Sequence, residues 1–210
     1  MPPDVYASSA AGRLRARLAS PLAGRARQRR HAELFPLTGV RPGHRVLDVG
    51  CGALGLRGLE PELDITGVDL EPRPWYPGPV VQADAGAGLP FEDGAFDLVY
   101  ANSLIEHLPR ERRATFAREV RRVGRGFYVQ TPAWSFPVEP HALLPFAHWL
   151  PAGPRRAYWR LGAMGGWEHI ELLRRTELRA LFGTEPLAER LGPLVKSWVA
   201  IRPVPAAPAG

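Results

Sequence analysis

The chain alternates between short apolar runs and longer mixed segments. The runs are Arg45-Val46-Leu47-Asp48-Val49, Ile65-Thr66-Gly67-Val68-Asp69, Val80 to Ala83, Phe96 to Ala101 and Phe127 to Gln130. Brief runs rich in Val and Leu, bounded by turn residues, are the pattern of strands buried on both faces. Between the last two, Phe116, Val120 and Val123 recur at helical spacing, which predicts a helix from about Arg110 to Val123 that Gly124 stops. Strands alternating with helices predict a mainly parallel α/β sheet with right-handed crossovers.

Two connections are too short or too rich in proline for a full helix. Leu56 to Asp64 includes Pro61 and holds about one turn, and Glu71 to Pro79 carries four prolines, the mark of an extended loop. Near the end, a helix around Thr176 to Phe182 precedes two apolar runs, Pro186 to Leu191 and Leu194 to Ile201, spaced to pair as a hairpin. That hairpin gives the sheet an antiparallel edge. The tail from Pro203 reads as frayed. Residues 1 to about 35 read as one or two arginine-rich helices, broken near Pro21 and Gly24 and closed by Leu34 and Phe35 before Pro36. The organisation expected is one domain over 1–210, with an arginine-rich helical segment over 1–36 and an aromatic insert over 132–170.

Composition narrows the class. A chain of 210 residues, 45% hydrophobic, can bury a core without disulfide staples. Cys51 is the single cysteine, which excludes a disulfide framework and a four-cysteine zinc site. No long apolar run suits a spanning helix, and Arg13, Arg15 and Arg17 interrupt the one stretch resembling a signal core. A soluble, cytoplasmic protein is expected. The net charge is +6, but Lys196 is the only lysine. With 22 glycines and 23 prolines, the arginine excess reads first as the bias of a GC-rich genome. The cluster Arg25, Arg27, Arg29 and Arg30 has no interleaved aromatics, so a single-strand nucleic-acid platform is disfavoured.

Chemistry concentrates after the first strand. Residues 48–55, Asp-Val-Gly-Cys-Gly-Ala-Leu-Gly, contain a G-x-G-x-x-G pattern shared with dinucleotide-binding proteins. Glycines there allow a sharp bend and close approach of a ligand to main-chain N–H groups. The acid before them discriminates. A carboxylate at Asp48 repels a pyrophosphate and favours a ligand with a cationic amine and sulfonium. Asp69, ending the second strand, suits two ribose hydroxyls, and Asp84 can accept from an exocyclic adenine amine. Each acid alone also fits a capping or solvent-facing role. Three of them at the ends of successive strands point to the ligand crevice of such sheets. A nicotinamide dehydrogenase is opposed by Asp48 and by the absence of a full helix after Gly55.

On these residues the chain resembles the class I S-adenosylmethionine-dependent methyltransferases. Val46 to Gly52 (VLDVGCG) is similar to their first motif, Val68-Asp69-Leu70 to the second, and Gln82-Ala83-Asp84-Ala85 to the third. The block Leu89 to Leu108, LPFEDGAFDLVYANSLIEHL, resembles the type 11 branch, with its Glu-His pair after the fourth strand. The resemblance implies a Rossmann-like three-layer sandwich, seven strands with one antiparallel, and S-adenosylmethionine as cofactor. It implies a cofactor set of Asp48, Gly50, Cys51 and Gly52 at the methionine end. Asp69 and Leu70 fall at the ribose, Asp84 and Ala85 at the adenine, and Asn102 follows the fourth strand.

The acceptor side is less explicit. Methyl transfer needs a base only for a hydroxyl or a protonated amine, and His107 is the candidate catalytic residue. Glu139 and His141 follow the fifth strand and, with Trp134, are candidate substrate-site residues. His31, His44, His148 and His169 have no partner pattern. No metal is expected, because no histidine pair has i,i+4 spacing and no cysteine cluster exists. Four of the six tryptophans fall within the insert. They read equally as walls of a slot for a planar or greasy acceptor and as a satellite core. Leu143, Leu144, Phe146, Trp149 and Leu150, with Arg155 and Arg156, would also suit a transient membrane-surface contact. The expected partner is a small, hydrophobic methyl acceptor. The rival is a non-catalytic or nucleic-acid-associated binding module using the arginine-rich N-terminus.

Overall fold

The computed structural model describes residues 28–30, 32–163, 167 and 170–206. Expectations for residues 1–27, His31, Gly165, Gly166, His169 and the last four residues lie outside this set.

Among the described residues the strands are β1 (Arg45–Val49), β2 (Asp64–Asp69), β3 (Val80–Gln82), β4 (Phe96–Asn102), β5 (Gly124–Pro132), β6 (Val138–Glu139), β7 (Leu144–Pro145), β8 (Leu187–Leu191) and β9 (Leu194–Arg202). Seven of them form the main sheet, in the order β3-β2-β1-β4-β5-β9-β8. Strands β1 to β5 pair in parallel. Antiparallel pairing is confined to the far side, where β9 lies between β5 and β8 and runs against both. The hairpin read from the sequence therefore inserts its second arm into the sheet and leaves its first arm outermost. The two short strands β6 and β7 form a separate ladder within the insert.

Alternation along the central strands fills two cores. Leu47 and Val49 of β1, Val99 and Ala101 of β4, and Phe127 and Val129 of β5 point to one face. Val46, Leu98, Tyr100 and Tyr128 point to the other. With side chains at period two and both faces apolar, the sheet must be covered on both sides. Among the described residues three α-helices follow β4: α1 (Arg110–Val123), α2 (Ala152–Trp159) within the insert, and α3 (Arg175–Phe182). Helices α1 and α3 cover the first face through Phe116, Val120, Val123, Leu178 and Phe182. Gly183, at φ 69°, ends α3 in the left-handed conformation usual for a helix C-terminus.

Among the described residues, the second face is covered mainly by connecting segments. A helical stretch ending at residue 38 supplies Leu34, while Leu56, Leu63 and Tyr76 come from the two connections that lack full helices. Residues 52–59 form turns and no helix, as the proline-interrupted spacing predicts. One boundary differs from expectation. The first helical stretch runs past Pro36 to residue 38, where the Thr38 hydroxyl donates to the Leu34 carbonyl at 2.6 Å. The tail from Pro203 is also tied down at its start, because the Val204 N–H donates to the Thr38 carbonyl at 2.7 Å.

Arg113 of α1 is a buried cation, 1% exposed. Its guanidinium donates to the Leu108 carbonyl, the Glu171 carbonyl (2.8 Å) and the Glu177 carboxylate (2.6 Å). The Glu171 N–H in turn donates to the Glu106 carbonyl at 3.0 Å. Arg113 thus fastens α1, α3 and the turn after β4 to one another. Arg113→Ala is expected to cost about 2–4 kcal/mol, since two half-buried carbonyls lose their donor while Glu177 can turn to water. A thermal melt checks this, and a variant melting with the wild type would contradict it.

Candidate cofactor and acceptor site

The chain order sets the location. β1 leads to β2 and β3 on one side, then returns so that β4 lies on the other side of β1. In open α/β sheets the crevice beyond the strand ends at this reversal is where ligands bind. The glycine bend after β1 opens there, with φ of 72°, 59° and 51° at Gly50, Gly52 and Gly55. Only glycine adopts three such angles in one turn at no steric cost. These three glycines are not equivalent. A Cβ at Gly52 would meet nothing within 4 Å, whereas one at Gly55 would fall 2.2 Å from Asp48 Oδ2.

Asp48 is buried, and its carboxylate accepts from the Leu56 N–H at 2.6 Å. It closes the turn that follows the bend. Burial pushes its pKa up to about 7; the Leu56 N–H and the neighbouring Tyr76 hydroxyl oppose this, and the Asp69 charge adds to it. Cys51 is buried behind the bend, and burial raises its thiol to about 12, so it packs as an apolar group.

Asp69 accepts from the Gly52 N–H at 2.9 Å, from the Glu71 N–H at 3.2 Å and from Arg73 at 2.9 Å. Burial alone would raise its pKa, but the Arg73 and main-chain hydrogen bonds outweigh burial and hold it below the usual carboxylate range. Leu70 beside it is 64% exposed, a bare apolar face at the crevice mouth. Asp84 accepts from the Gly86 N–H and from Arg112 at 2.6 Å, and Ala85 next to it is buried. Asn102 ends β4 with its side-chain oxygen buried and without a hydrogen-bond partner. An open glycine, an anchored acid and an orphaned amide oxygen fit a ligand with amino and hydroxyl donors and a positive charge. That is the polar inventory of S-adenosylmethionine.

A second cluster lies beyond the end of β4. Ser103, at φ 54°, turns the chain from β4 into the short helical turn Ile105–His107. Glu106 is buried, accepts from the Thr131 hydroxyl at 2.9 Å, and is pushed above the usual carboxylate range by burial, which His141 and His107 oppose. The His107 and His141 rings meet edge to face at 4.9 Å. His141 Nδ1 lies 2.8 Å from Glu139 Oε1, and the other Glu139 oxygen accepts from the Ala142 N–H. Sequence spacing hides this assembly, because His141 arrives from the insert and reaches Glu106 only through the tertiary fold.

The insert is chiefly its own small core. Ala142, Leu144, Ala147, Trp159, Ile170 and Leu172 are buried together, with Trp134, Tyr158 and Trp167 packed against them. The Arg174 guanidinium covers Trp134 at 3.4 Å from the ring centre, and the Trp134 carbonyl accepts from His148 and Trp149. The satellite-core reading thus accounts for most of the tryptophans. Phe146 and Trp149 stay exposed, their tilted rings 5.3 Å apart. Arg155 and Arg156 lie over Trp167. His148 is half-buried as a structural donor, and His44 accepts from the Arg41 N–H. Among the described residues no helix is long and apolar enough to cross a membrane.

Comparison with known proteins agrees with this geometry. A family profile described as a methyltransferase domain matches residues 47–126. A protein of Pyrococcus horikoshii OT3 superposes with a TM-score of 0.58 at 19% identity, covering 94% of this chain and 92% of that one. An S-adenosylmethionine-dependent methyltransferase of Archaeoglobus fulgidus gives 0.50 at 20% identity, covering 75% of this chain and 65% of that one. A Bacillus halodurans C-125 protein gives 0.49 at 21% identity, covering 73% and 63%. The chain thus spans just under two thirds of the length of the last two. Residues 47–126 match a methyltransferase-domain profile, and the chain shares its fold with the S-adenosylmethionine-dependent methyltransferase of Archaeoglobus fulgidus.

Proposed function

We propose that this chain transfers a methyl group from S-adenosylmethionine to a small, hydrophobic acceptor. The observation that carries the reading is the bend after β1, open at Gly52 and framed by Asp69 and the orphaned Asn102 oxygen. When bound, the donor supplies a methyl carbon already activated by its sulfonium. The residues here hold, orient and exclude water. The Gly52 region faces the methionine end, Asp69 the ribose, and Asp84 with Ala85 the adenine. Holding an acceptor in line with an activated methyl can supply on the order of 7–11 kcal/mol of the barrier reduction. The acceptor side is bounded by His107, His141 and the insert, whose exposed Phe146 and Trp149 favour an apolar acceptor.

Isothermal titration with S-adenosylhomocysteine tests the reading, and a folded protein that binds none at millimolar ligand would overturn it. Asp69→Ala is expected to weaken that binding about 10- to 150-fold, the loss of one or two charge-assisted hydrogen bonds worth roughly 1.5–3 kcal/mol. Unchanged affinity would remove Asp69 from the ribose.

A further inference from the structure

We propose that Glu106, His107 and His141 bind one divalent transition-metal ion, with Glu139 orienting His141 from behind. One donor atom from each of the three lies within 4.8 Å of the other two. Glu106 is 1% exposed; Thr131 satisfies one oxygen, and the other, Oε1, is buried without a hydrogen-bond partner. That oxygen faces His141 Nε2 at 3.8 Å, beyond hydrogen-bond reach.

Glu139 sets the tautomer of His141. His141 Nδ1 lies 2.8 Å from Glu139 Oε1, so it carries the proton and donates it. Nε2 then presents a lone pair toward a carboxylate oxygen. Two electron-rich atoms then face one another in a buried place, an arrangement that a cation between them would satisfy. Donors about 2.1 Å from a shared ion stand roughly 3.0–3.4 Å apart, so 3.8 Å needs only a small contraction. A carboxylate behind the far nitrogen of a histidine is also the arrangement that orients metal-ligating imidazoles.

Two imidazoles and one carboxylate suit Zn²⁺, Mn²⁺, Co²⁺ or Fe²⁺ better than Mg²⁺ or Ca²⁺, which prefer all-oxygen sites. Three protein ligands leave coordination positions open. Resting on the methyl-transfer reading, those positions would take an oxygen of the acceptor, which makes the acceptor class one bearing a hydroxyl or carboxylate. The ion itself requires no such premise.

The test uses the full chain, stripped with chelator and titrated with Co²⁺ and Zn²⁺, following the visible absorption of Co²⁺ and the heat. One equivalent is expected to bind, with His107→Ala/His141→Ala losing at least a hundredfold in affinity and Glu139→Gln about tenfold. Glu106 is enclosed, so substituting it would confound folding with binding; the histidine pair therefore carries the test, its folding checked by melting. No stoichiometric binding by the folded wild type, or a double variant within threefold of it, overturns the site. Parallel titration with S-adenosylhomocysteine separates the two readings: donor binding without metal sinks this inference alone, and metal binding without donor sinks the methyl-transfer reading alone.

Discussion

Gly55→Ala is expected to lower the melting temperature by roughly 10–20 °C, while Gly52→Ala, three residues earlier, costs far less stability and weakens donor binding instead. Both positions are left-handed, so each alanine incurs about 1–2 kcal/mol of backbone strain. The difference is in what the added carbon meets. At Gly55 it falls 2.2 Å from Asp48 Oδ2 and 2.8 Å from the Cys51 carbonyl, so the neighbouring atoms must shift. Asp48 must then leave the Leu56 N–H, and a buried carboxylate loses its donor. Overpacking and the broken bond bring the total to about 4–6 kcal/mol. In a chain of this size that is the stated shift in melting temperature. At Gly52 the new methyl group enters open space, so only the strain remains, and the methyl occupies ground that the ligand is proposed to use. Paired melts and titrations of both variants check this. Equal stability losses would contradict the division between an inner, packed glycine and an outer, ligand-facing one.

Asp48→Asn is expected to stabilise the ligand-free protein above neutral pH. A carboxyl whose pKa is about 7 in the folded protein, against an ordinary 3.8 in the unfolded chain, binds its proton more tightly when folded. Between those values the unfolded chain ionises first, so stability falls as pH rises and levels off above about 7. Acid therefore relieves the group rather than unfolding the protein through it. The full span corresponds to at most about 4 kcal/mol. Asparagine at 48 keeps an oxygen for the Leu56 N–H and carries no charge, so its melting temperature should exceed that of the wild type at pH 8 and converge with it near pH 4. The groups around Asp48 include Asp69, whose like charge adds to the cost, and Tyr76, whose hydroxyl opposes it. No cation is among the causes that set its pKa. A cationic donor entering the bend would supply one, so the same variant is expected to bind S-adenosylmethionine more weakly than wild type. A wild-type melting temperature independent of pH from 5 to 8 would refute this account. Stability surrendered at a position that ligand charge later compensates is common at binding sites.

Much of the scaffold was readable from local pattern. The first four parallel strands, α1, α3 and the terminal hairpin stand within a residue or two of where apolar runs and turn residues place them, and β5 begins three residues earlier than its run. The reason is that a sheet apolar on both faces allows few alternatives, and a strand at period two cannot be mistaken for a charged helix. The want of a full helix after Gly55 was equally visible, since Pro61 and the short spacing leave room for about one turn. The glycine bend and its acids were also legible, because glycines before a second acid-ended strand have a distinctive order. Their bonding partners were not. Nothing in the sequence pairs Asp69 with Arg73, Asp84 with Arg112, or Asp48 with Leu56.

The order of residues, then, determined the elements, the sheet and the glycine bend after β1, because hydrophobic period and backbone freedom act over a few residues. Tertiary structure alone decided which side chains face one another across long separations. His141 stands 34 positions after His107 in the chain; only the insert's own core, closed over Leu144 and Trp159, carries it back to Glu106. It also decided that most insert tryptophans fill that core rather than line a slot, since burying their surface is what holds the histidine in place.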